Sequence, residues 1–266
     1  MSPQISLDGR RALVTGAAGG LGAAFARKLA SAGANIVMSG LESASELEAV
    51  RRDIAKSSDV RVDYVRADLS SLEDIEKLTK RVADKIGRVD ILVNNAVVRH
   101  FAPIDKFPVD RWTAALAVNV SAPFHLTRLL LPGMRASGYG RIFNITSVYG
   151  SRGTANRVDY VTSKSAIEGL TRATAMESPE GDVTCHALCP GSVLTPSLEQ
   201  RIRKLGEDEN LDWERAQAAF LQGKQPSGRF VEASSVAEVL LMLCGPVGRD
   251  MNGAIIPIEG GWLARA

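Results

Sequence analysis

Cysteine is scarce in this chain: three in 266 residues. That is too few for a disulfide framework. Cys185 and Cys189 also alternate with Ala187 on one face of a predicted apolar strand, where a thiol packs as a small hydrophobe rather than serving a metal or redox centre. Histidine is equally rare. His100, His125 and His186 are scattered and show no zinc-ligand spacing, so no metal is expected. An excess of one charge is missing as well: 32 basic against 30 acidic residues leave +2. Nucleic acid and anionic membranes usually call for a concentrated basic surface, so neither is an expected partner. Met1 to Arg10 is polar and lacks the apolar run of a signal peptide, and no stretch approaches the ~20 apolar residues of a membrane span. No Pro/Gly/Ser-rich linker, internal repeat or low-complexity tract divides the chain. What these absences leave is the expectation of one cytoplasmic α/β domain, and 45% apolar with 23% charged residues is ordinary for a large core.

The most informative stretch near the start runs from Arg11 to Leu29. Ala12, Leu13 and Val14 read as a short buried strand ending at Thr15. Gly16-Ala17-Ala18-Gly19-Gly20-Leu21-Gly22 follows, and Leu21, Phe25 and Leu29 then recur at helical spacing. A strand that turns through glycines straight into a helix leaves free N–H groups at the positive end of the helix dipole. Phosphate binds well there, and the glycines let the backbone approach a pyrophosphate. In that context the turn predicts dinucleotide binding. The next strand, 34–39, ends at Ser39-Gly40-Leu41-Glu42. No lysine or arginine greets a 2′-phosphate there, which favours NAD; Glu42 either faces the ribose or opens the following helix.

Strand and helix then alternate. Helices are predicted over 44–57, 71–86, 121–137 and from Tyr160 to about Glu177, with another passing Asn119. Strands are predicted over 60–66, 90–93, 141–146, 182–189 and 254–258. Alternation of this kind implies right-handed crossovers and a parallel sheet covered on both faces. Residues 196–225 break the rhythm with polar, charged helices, and read either as a flap over a site or as a solvated helical hairpin. A helix over 234–244 follows. Trp262, near the end, either packs a subunit contact or closes a pocket.

Within Asp159-Tyr160-Val161-Thr162-Ser163-Lys164, Tyr160 and Lys164 stand four residues apart, on one helix face about a turn from each other. A free phenol is a poor base at neutral pH, and an ammonium a few ångströms away favours the phenolate. The spacing alone is common among solvated tyrosines and lysines; the rest of the chain gives it weight.

Taken together, these residues resemble the short-chain dehydrogenase/reductase family over nearly the whole chain. Thr15-Gly16…Gly20…Gly22 is similar to its TGxxxGxG turn. Asp68, Asn94-Asn95-Ala96, Asn119, Ser147, Tyr160, Lys164, Pro190-Gly191 and Thr195 follow in the family's order, with Ser147 thirteen residues before Tyr160. The resemblance implies a doubly wound, seven-stranded Rossmann-type sheet, a nicotinamide cofactor (here NAD) and a homotetramer. It implies that Asn119, Ser147, Tyr160 and Lys164 are catalytic. It places the cofactor against Gly16, Ala18, Gly20, Leu21 and Gly22, against Leu41, Asp68 and Leu69, against Asn94 and Ala96, and against Tyr160, Lys164, Pro190, Gly191, Val193 and Thr195. Tyr160 would move the substrate's proton, Lys164 would favour the phenolate and hold the ribose, Ser147 would hold the substrate oxygen, and Asn119 would hold a water linking Lys164 to solvent.

Within that family the chain resembles the D-3-hydroxybutyrate dehydrogenases, through Ala34-Asn35-Ile36-Val37, Ala102-Pro103-Ile104, Phe107-Pro108, Lys224-Gln225-Pro226-Ser227 and Gly260-Gly261-Trp262. Those enzymes hold a small carboxylate with glutamine, histidine, lysine and glutamine. The matching positions here are Arg99, Tyr149, Arg157 and Arg201, and Trp262 completes the expected substrate set with Ser147. Guanidinium suits carboxylate, sulfonate or phosphate, and Arg157 with Arg201 also resembles the sulfonate-binding pair of the hydroxypropyl-coenzyme M dehydrogenases. The expected substrate is therefore a small anionic hydroxy acid, diacid or sulfonate rather than 3-hydroxybutyrate itself. The contrary expectation is that these arginines face solvent or pair with Asp159, Glu199 or Glu207. Val97 replaces the glycine usual beside the nicotinamide ribose. Two other readings stay open: an NADP-linked ketoreductase of neutral carbonyls or acyl thioesters, and a dinucleotide-binding protein without catalysis.

Overall fold

A computed structural model describes residues 5–56, 58–177 and 181–265. Its elements are β1 (Arg11–Thr15), α1 (Gly20–Ser31), β2 (Asn35–Gly40), α2 (Ala44–Lys56), β3 (Val62–Arg66), α3 (Leu72–Ile86), β4 (Ile91–Asn94), α4 (Val109–Leu116), α5 (Ala122–Ser137), β5 (Tyr139–Ile145), α6 (Val158–Met176), β6 (Asp182–Pro190), α7 (Pro196–Glu209), α8 (Trp213–Leu221), α9 (Ala233–Cys244), α10 (Val247–Asp250) and β7 (Ile255–Ile258). The seven strands form one sheet in the order β3-β2-β1-β4-β5-β6-β7, and every pairing is parallel. The expected doubly wound, seven-stranded Rossmann-type sheet is therefore present.

The strands are apolar almost throughout because both faces are covered. The pleat sends Ala12 and Val14 of β1 to one face, where they pack with Phe25 and Leu29 of α1 and Val236 and Leu240 of α9. Leu13, between them, faces the other way and packs with Ile75, Leu78 and Val82 of α3 and with Leu126 and Met134 of α5. The chain direction puts the C-terminal ends of all seven strands along one edge. The strand order reverses between β1 and β4, and a ligand crevice belongs outside the strand ends at such a point.

Three local details differ from the sequence reading. First, β5 begins at Tyr139 rather than at Arg141, because Tyr139 is buried, pairs with Asp182 of β6 and donates its hydroxyl to the Cys244 carbonyl at 3.0 Å. Second, α4 and α5 are joined without a break by a π-helical turn, Ala117–Ser121. The continuous helix Val109–Ser137 is long and apolar enough, by length and composition, to cross a bilayer; here its buried side chains pack against the sheet. Third, the hairpin that α7 and α8 form is not solvated throughout: it has a small core, in which Leu198, Ile202 and Ala216 meet Trp213, Phe220 and Phe230.

Arg141, on β5, is completely buried. Its guanidinium donates to the carbonyls of Leu243 (3.0 Å), Gly140 (2.9 Å) and Asp182 (2.7 Å) and to the Asp182 carboxylate (2.6 Å), and it lies over the Tyr139 ring. One side chain thus ties β5, the start of β6 and the end of α9. Removing a buried guanidinium leaves the carbonyls it serves without their donor, at a cost of about 3 kcal/mol. Arg141→Met is expected to lower unfolding free energy by about that amount, read from the urea midpoint at unchanged m-value.

Candidate active site

The turn after β1 is held from the side by Asn95. Its Nδ2 donates to the carbonyls of Thr15 (3.0 Å) and Gly16 (2.9 Å), while the Thr15 hydroxyl accepts the N–H groups of Asn95 (3.0 Å) and Ala96 (3.1 Å). The packing leaves no room for larger residues. A Cβ on Gly16, which has φ +60°, would stand 2.8 Å from the Ala96 Cα, and one on Gly22 would stand 2.1 Å from the Gly16 carbonyl oxygen. The helix that follows has no side-chain cap at its N-terminus, so its first N–H groups face the crevice unclaimed.

A cavity of about 540 Å³ opens there. Its wall includes Gly16, Ala18, Gly20, Leu21 and Ala96, with Pro190, Gly191, Val193 and Thr195. Ser147, Tyr149, Tyr160 and Lys164 line it too, as do Arg99, Arg157, Arg201 and Trp262. The uncapped helix end and the side-chain-free glycine wall fit a dinucleotide's pyrophosphate. Six of the singled-out residues lie off this wall: Gly22, Leu41, Asp68, Leu69, Asn94 and Asn119. Leu41 is exposed just past β2 and Leu69 is buried. Asp68 accepts the Ser70 N–H (2.9 Å) and hydroxyl (2.7 Å), which hold its carboxyl below the usual carboxylate range. Asn94 donates to Asn144 across the sheet at 2.8 Å.

Asn119 sits on the π turn, a form that often marks functional positions. Its side chain is spent: Oδ1 accepts the Val98 N–H (2.9 Å), and Nδ2 donates to the Val98 carbonyl (2.8 Å) and the Ser163 hydroxyl (3.2 Å). Lys164 is buried and donates from Nζ to the Ile145 carbonyl at 2.6 Å, with the ammonium 5.5 Å from the Tyr160 ring centre. Burial, with Arg99 adding repulsion, pulls its pKa down to about 8. The Ser147 hydroxyl accepts the Tyr149 N–H at 3.3 Å, which leaves its own O–H free to donate.

The arginines converge without acidic partners. Among the described residues no carboxylate lies within 4.0 Å of Arg99, Arg157 or Arg201. Glu199 is turned to Arg203, and Asp159 accepts the His100 N–H. Arg157 lies over Tyr160 (4.3 Å), Phe101 (4.7 Å) and Tyr149 (5.2 Å), and its Nε is buried with no partner. Burial lowers its pKa, and Arg99 and Arg201 push the same way. Trp262 is buried, meets Tyr149 edge-on at 5.5 Å and lines the cavity. The Val97 side chain stands at the cavity, partly exposed.

The comparisons with known proteins agree with this geometry. Residues 10–206 match the family model described as short chain dehydrogenase. The chain belongs to the short-chain dehydrogenase family. It is 39% identical over 260 residues to the D-beta-hydroxybutyrate dehydrogenase of Cupriavidus necator, covering 97% of this chain and 100% of that one. It is 37% identical to the enzyme of the same name from Rhizobium meliloti, over 96% of this chain and 99% of that one. Among solved structures, the L-sorbose reductase of Gluconobacter frateurii, complexed with NADPH and L-sorbose, superposes with a TM-score of 0.94 at 26% identity, over 99% of this chain and all of that one. As a short-chain dehydrogenase the protein is an oxidoreductase of the nicotinamide dinucleotide class.

Several site residues escaped the sequence reading. Asn95 was visible only as part of the Asn94-Asn95-Ala96 run. Phe220 and Lys224 line the cavity, and Phe101 stacks between two arginines. Lys224 carried one faint signal: no acidic residue stands within four positions of it on either side, so no helix neighbour could neutralise it.

Lys164 has a measurable cost. The folded protein must hold a buried ammonium that the unfolded chain solvates, and lowering the pKa from 10.5 to about 8 corresponds to roughly 3 kcal/mol. Because this folded pKa is depressed, the penalty is complete below about pH 8 and fades as pH rises towards 10.5. Lys164→Met, after losing one hydrogen bond, is expected to raise the Tm of the cofactor-free protein at neutral pH by about 5 °C, with the gain shrinking in alkaline buffer; calorimetry across that pH range checks it.

Proposed function

We propose that this protein interconverts a secondary alcohol and a ketone on a small anionic hydroxy acid, with NAD as cofactor. The observation that carries the reading is the convergence of Ser147, Tyr160 and Lys164 with acid-free arginines on one cavity. The 3-hydroxy-acid frame is supported by the relatives named D-beta-hydroxybutyrate dehydrogenase, and the arginines support a more strongly anionic substrate than 3-hydroxybutyrate.

When bound, the nicotinamide supplies a hydride acceptor or donor. Tyr160, as phenolate, takes the hydroxyl proton in the oxidation and returns it in the reduction. The Lys164 ammonium and the Arg157 guanidinium both lie against the Tyr160 ring, 5.5 Å and 4.3 Å from its centre. The free O–H of Ser147 donates to the substrate oxygen and fixes it beside Tyr160. With its side chain fully engaged, Asn119 can offer only its backbone carbonyl to a water on the path from Lys164.

NAD is favoured over NADP by the end of β2. Glu42 precedes α2, and its Oε2 is buried without a partner beside Gly40. An unpaired carboxylate oxygen suits a ribose hydroxyl and repels a 2′-phosphate. The homotetramer is supported by the apolar side chains of Val109 and Phe124, which the long helix leaves exposed.

Tyr160→Phe is expected to lower turnover by at least a thousandfold while NADH still binds, as read by NADH fluorescence. Unchanged turnover would remove Tyr160 from the mechanism. In a panel of 3-hydroxy acids, hydroxy diacids, hydroxy sulfonates and neutral alcohols scored by NADH formation, the anions are expected to be oxidised and the neutral alcohols not. Tighter binding of NADPH than of NADH would overturn the cofactor assignment.

A further inference from the structure

Residues 97–102 run past the start of α6 with every second residue tied by its backbone. Val98 is tied twice: its N–H donates to Asn119 Oδ1 at 2.9 Å, and its carbonyl accepts from Asn119 Nδ2 at 2.8 Å. The His100 N–H donates to the Asp159 carboxylate at 2.8 Å. The Ala102 N–H donates to the Asn156 carbonyl at 3.2 Å. Of the residues between the ties, Val97 and Arg99 line the cavity. Phe101 lies against the guanidiniums of Arg157 and Arg201, 4.7 Å and 4.8 Å from its ring centre. This is the period-two alternation of an extended chain: one set of residues is held by the protein, and the other is presented to the site.

Phe101 has those two cations to seat it. Arg99 has no such contact. Its side chain is exposed, with no carboxylate within 4.0 Å among the described residues, so what places it is the pair of backbone ties on either side. Asn119 makes one and Asp159 the other. The Asp159 tie is made at a cost. The residue is completely buried, no cation lies within 4.0 Å of it among the described residues, and its Oδ1 has no partner. A carboxyl group buried that way is expensive, and packing alone does not call for it. What it provides is an acceptor stronger than a neutral oxygen, set at the middle of the segment.

We propose that Asp159 is a positioning residue: by holding the His100 N–H it fixes the backbone that carries Arg99, and so sets where that guanidinium meets the acid group of the substrate. Asp159 is not on the cavity wall and acts only through this tie. The proposal rests on the reading of the cavity as the site of an anionic hydroxy acid.

The test separates the tie, the anion and the chemistry. Asp159→Ala removes the acceptor; Asp159→Asn keeps an oxygen in its place. Butyrate and propanesulfonate, which cannot react, are titrated by calorimetry into the full-length protein saturated with NADH. Asp159→Ala is expected to weaken the tighter of the two by about tenfold and Asp159→Asn by less than about threefold, with NADH bound as in the wild type by both. Arg99→Met is expected to cost about as much as Asp159→Ala, and the double variant little more than either, because both act on one contact. Losses that multiply in the double variant overturn the proposal, since Asp159 would then act elsewhere. Hydrogen–deuterium exchange over residues 97–102 is read alongside: rates that Asp159→Ala leaves unchanged overturn the tie, and faster rates with anion binding untouched overturn its positioning role. Wild-type protein that binds neither acid defeats the anionic-site reading and this proposal with it. Binding that follows Asp159 as expected, with no NADH formed from 3-hydroxybutyrate or a hydroxy sulfonate, leaves the positioning role standing and defeats the hydroxy-acid chemistry alone.

Discussion

The Lys164 ammonium is out of water and rests on the Ile145 carbonyl, at the last residue of β5. That single contact joins the core of the fold to the cavity. It requires α6 to lie along the sheet at a fixed height, and Thr146 fixes the height from the other side by donating its hydroxyl to the Lys164 carbonyl at 3.2 Å. Tyr160, one turn earlier on α6, is thereby set at the open edge of the sheet, where the strand ends and the glycine turn of β1 also meet. The charge is costly because nothing acidic offsets it, and Arg99 makes it costlier. A lysine placed there for packing alone would be better replaced by an aliphatic residue. Its persistence as a charge is what gives the cavity a positive centre next to a phenol.

The framework was largely legible from the residues because its signals are local and repeated. Apolar strands of four to nine residues, amphipathic helices and the glycine turn each announce themselves in a short window. The edges of elements were harder. The sequence reading starts the strand at Arg141, yet β5 begins at Tyr139 because its ring is buried and its hydroxyl reaches Cys244, more than a hundred residues away. The π turn at Asn119 is invisible for the same reason. What stabilises it is a pair of hydrogen bonds to the backbone of Val98, a contact that no local pattern encodes.

The site was legible where its residues fall in the family's order, and opaque where charge pairing decides the outcome. Glu199 stands two positions before Arg201 and Asp159 two after Arg157, so either acid could have neutralised its neighbour. Helix geometry settles the first case: residues two apart point to different sides, and Glu199 meets Arg203 one turn on. The second is settled by a loop. Asp159 turns inward, completely buried, to accept the His100 N–H at 2.8 Å. Arg157 is thus left to the rings of Tyr160 and Phe101. Lys224 and Phe220 were missed because they enter the cavity only through the fold of the α7–α8 hairpin.

Charges of opposite sign are left without partners at two places. Past β2, Glu42 keeps a buried carboxylate oxygen without a partner; on the cavity wall, Arg99, Arg157, Arg201 and Lys224 stand without an acid among the described residues. Of these, the Glu42 oxygen and the Arg157 Nε are buried without a partner, which is expensive, whereas Arg99 and Arg201 are exposed. On the reading proposed above, each sign is relieved by a different part of the bound molecules: the carboxylate by a ribose hydroxyl, the cations by the acid group of the substrate. A 2′-phosphate would meet a negative charge at one place, and a neutral ketone would leave the positive charges at the other uncompensated. Selection at both places then follows from which charges the fold leaves unpaired, and needs no close match of shape.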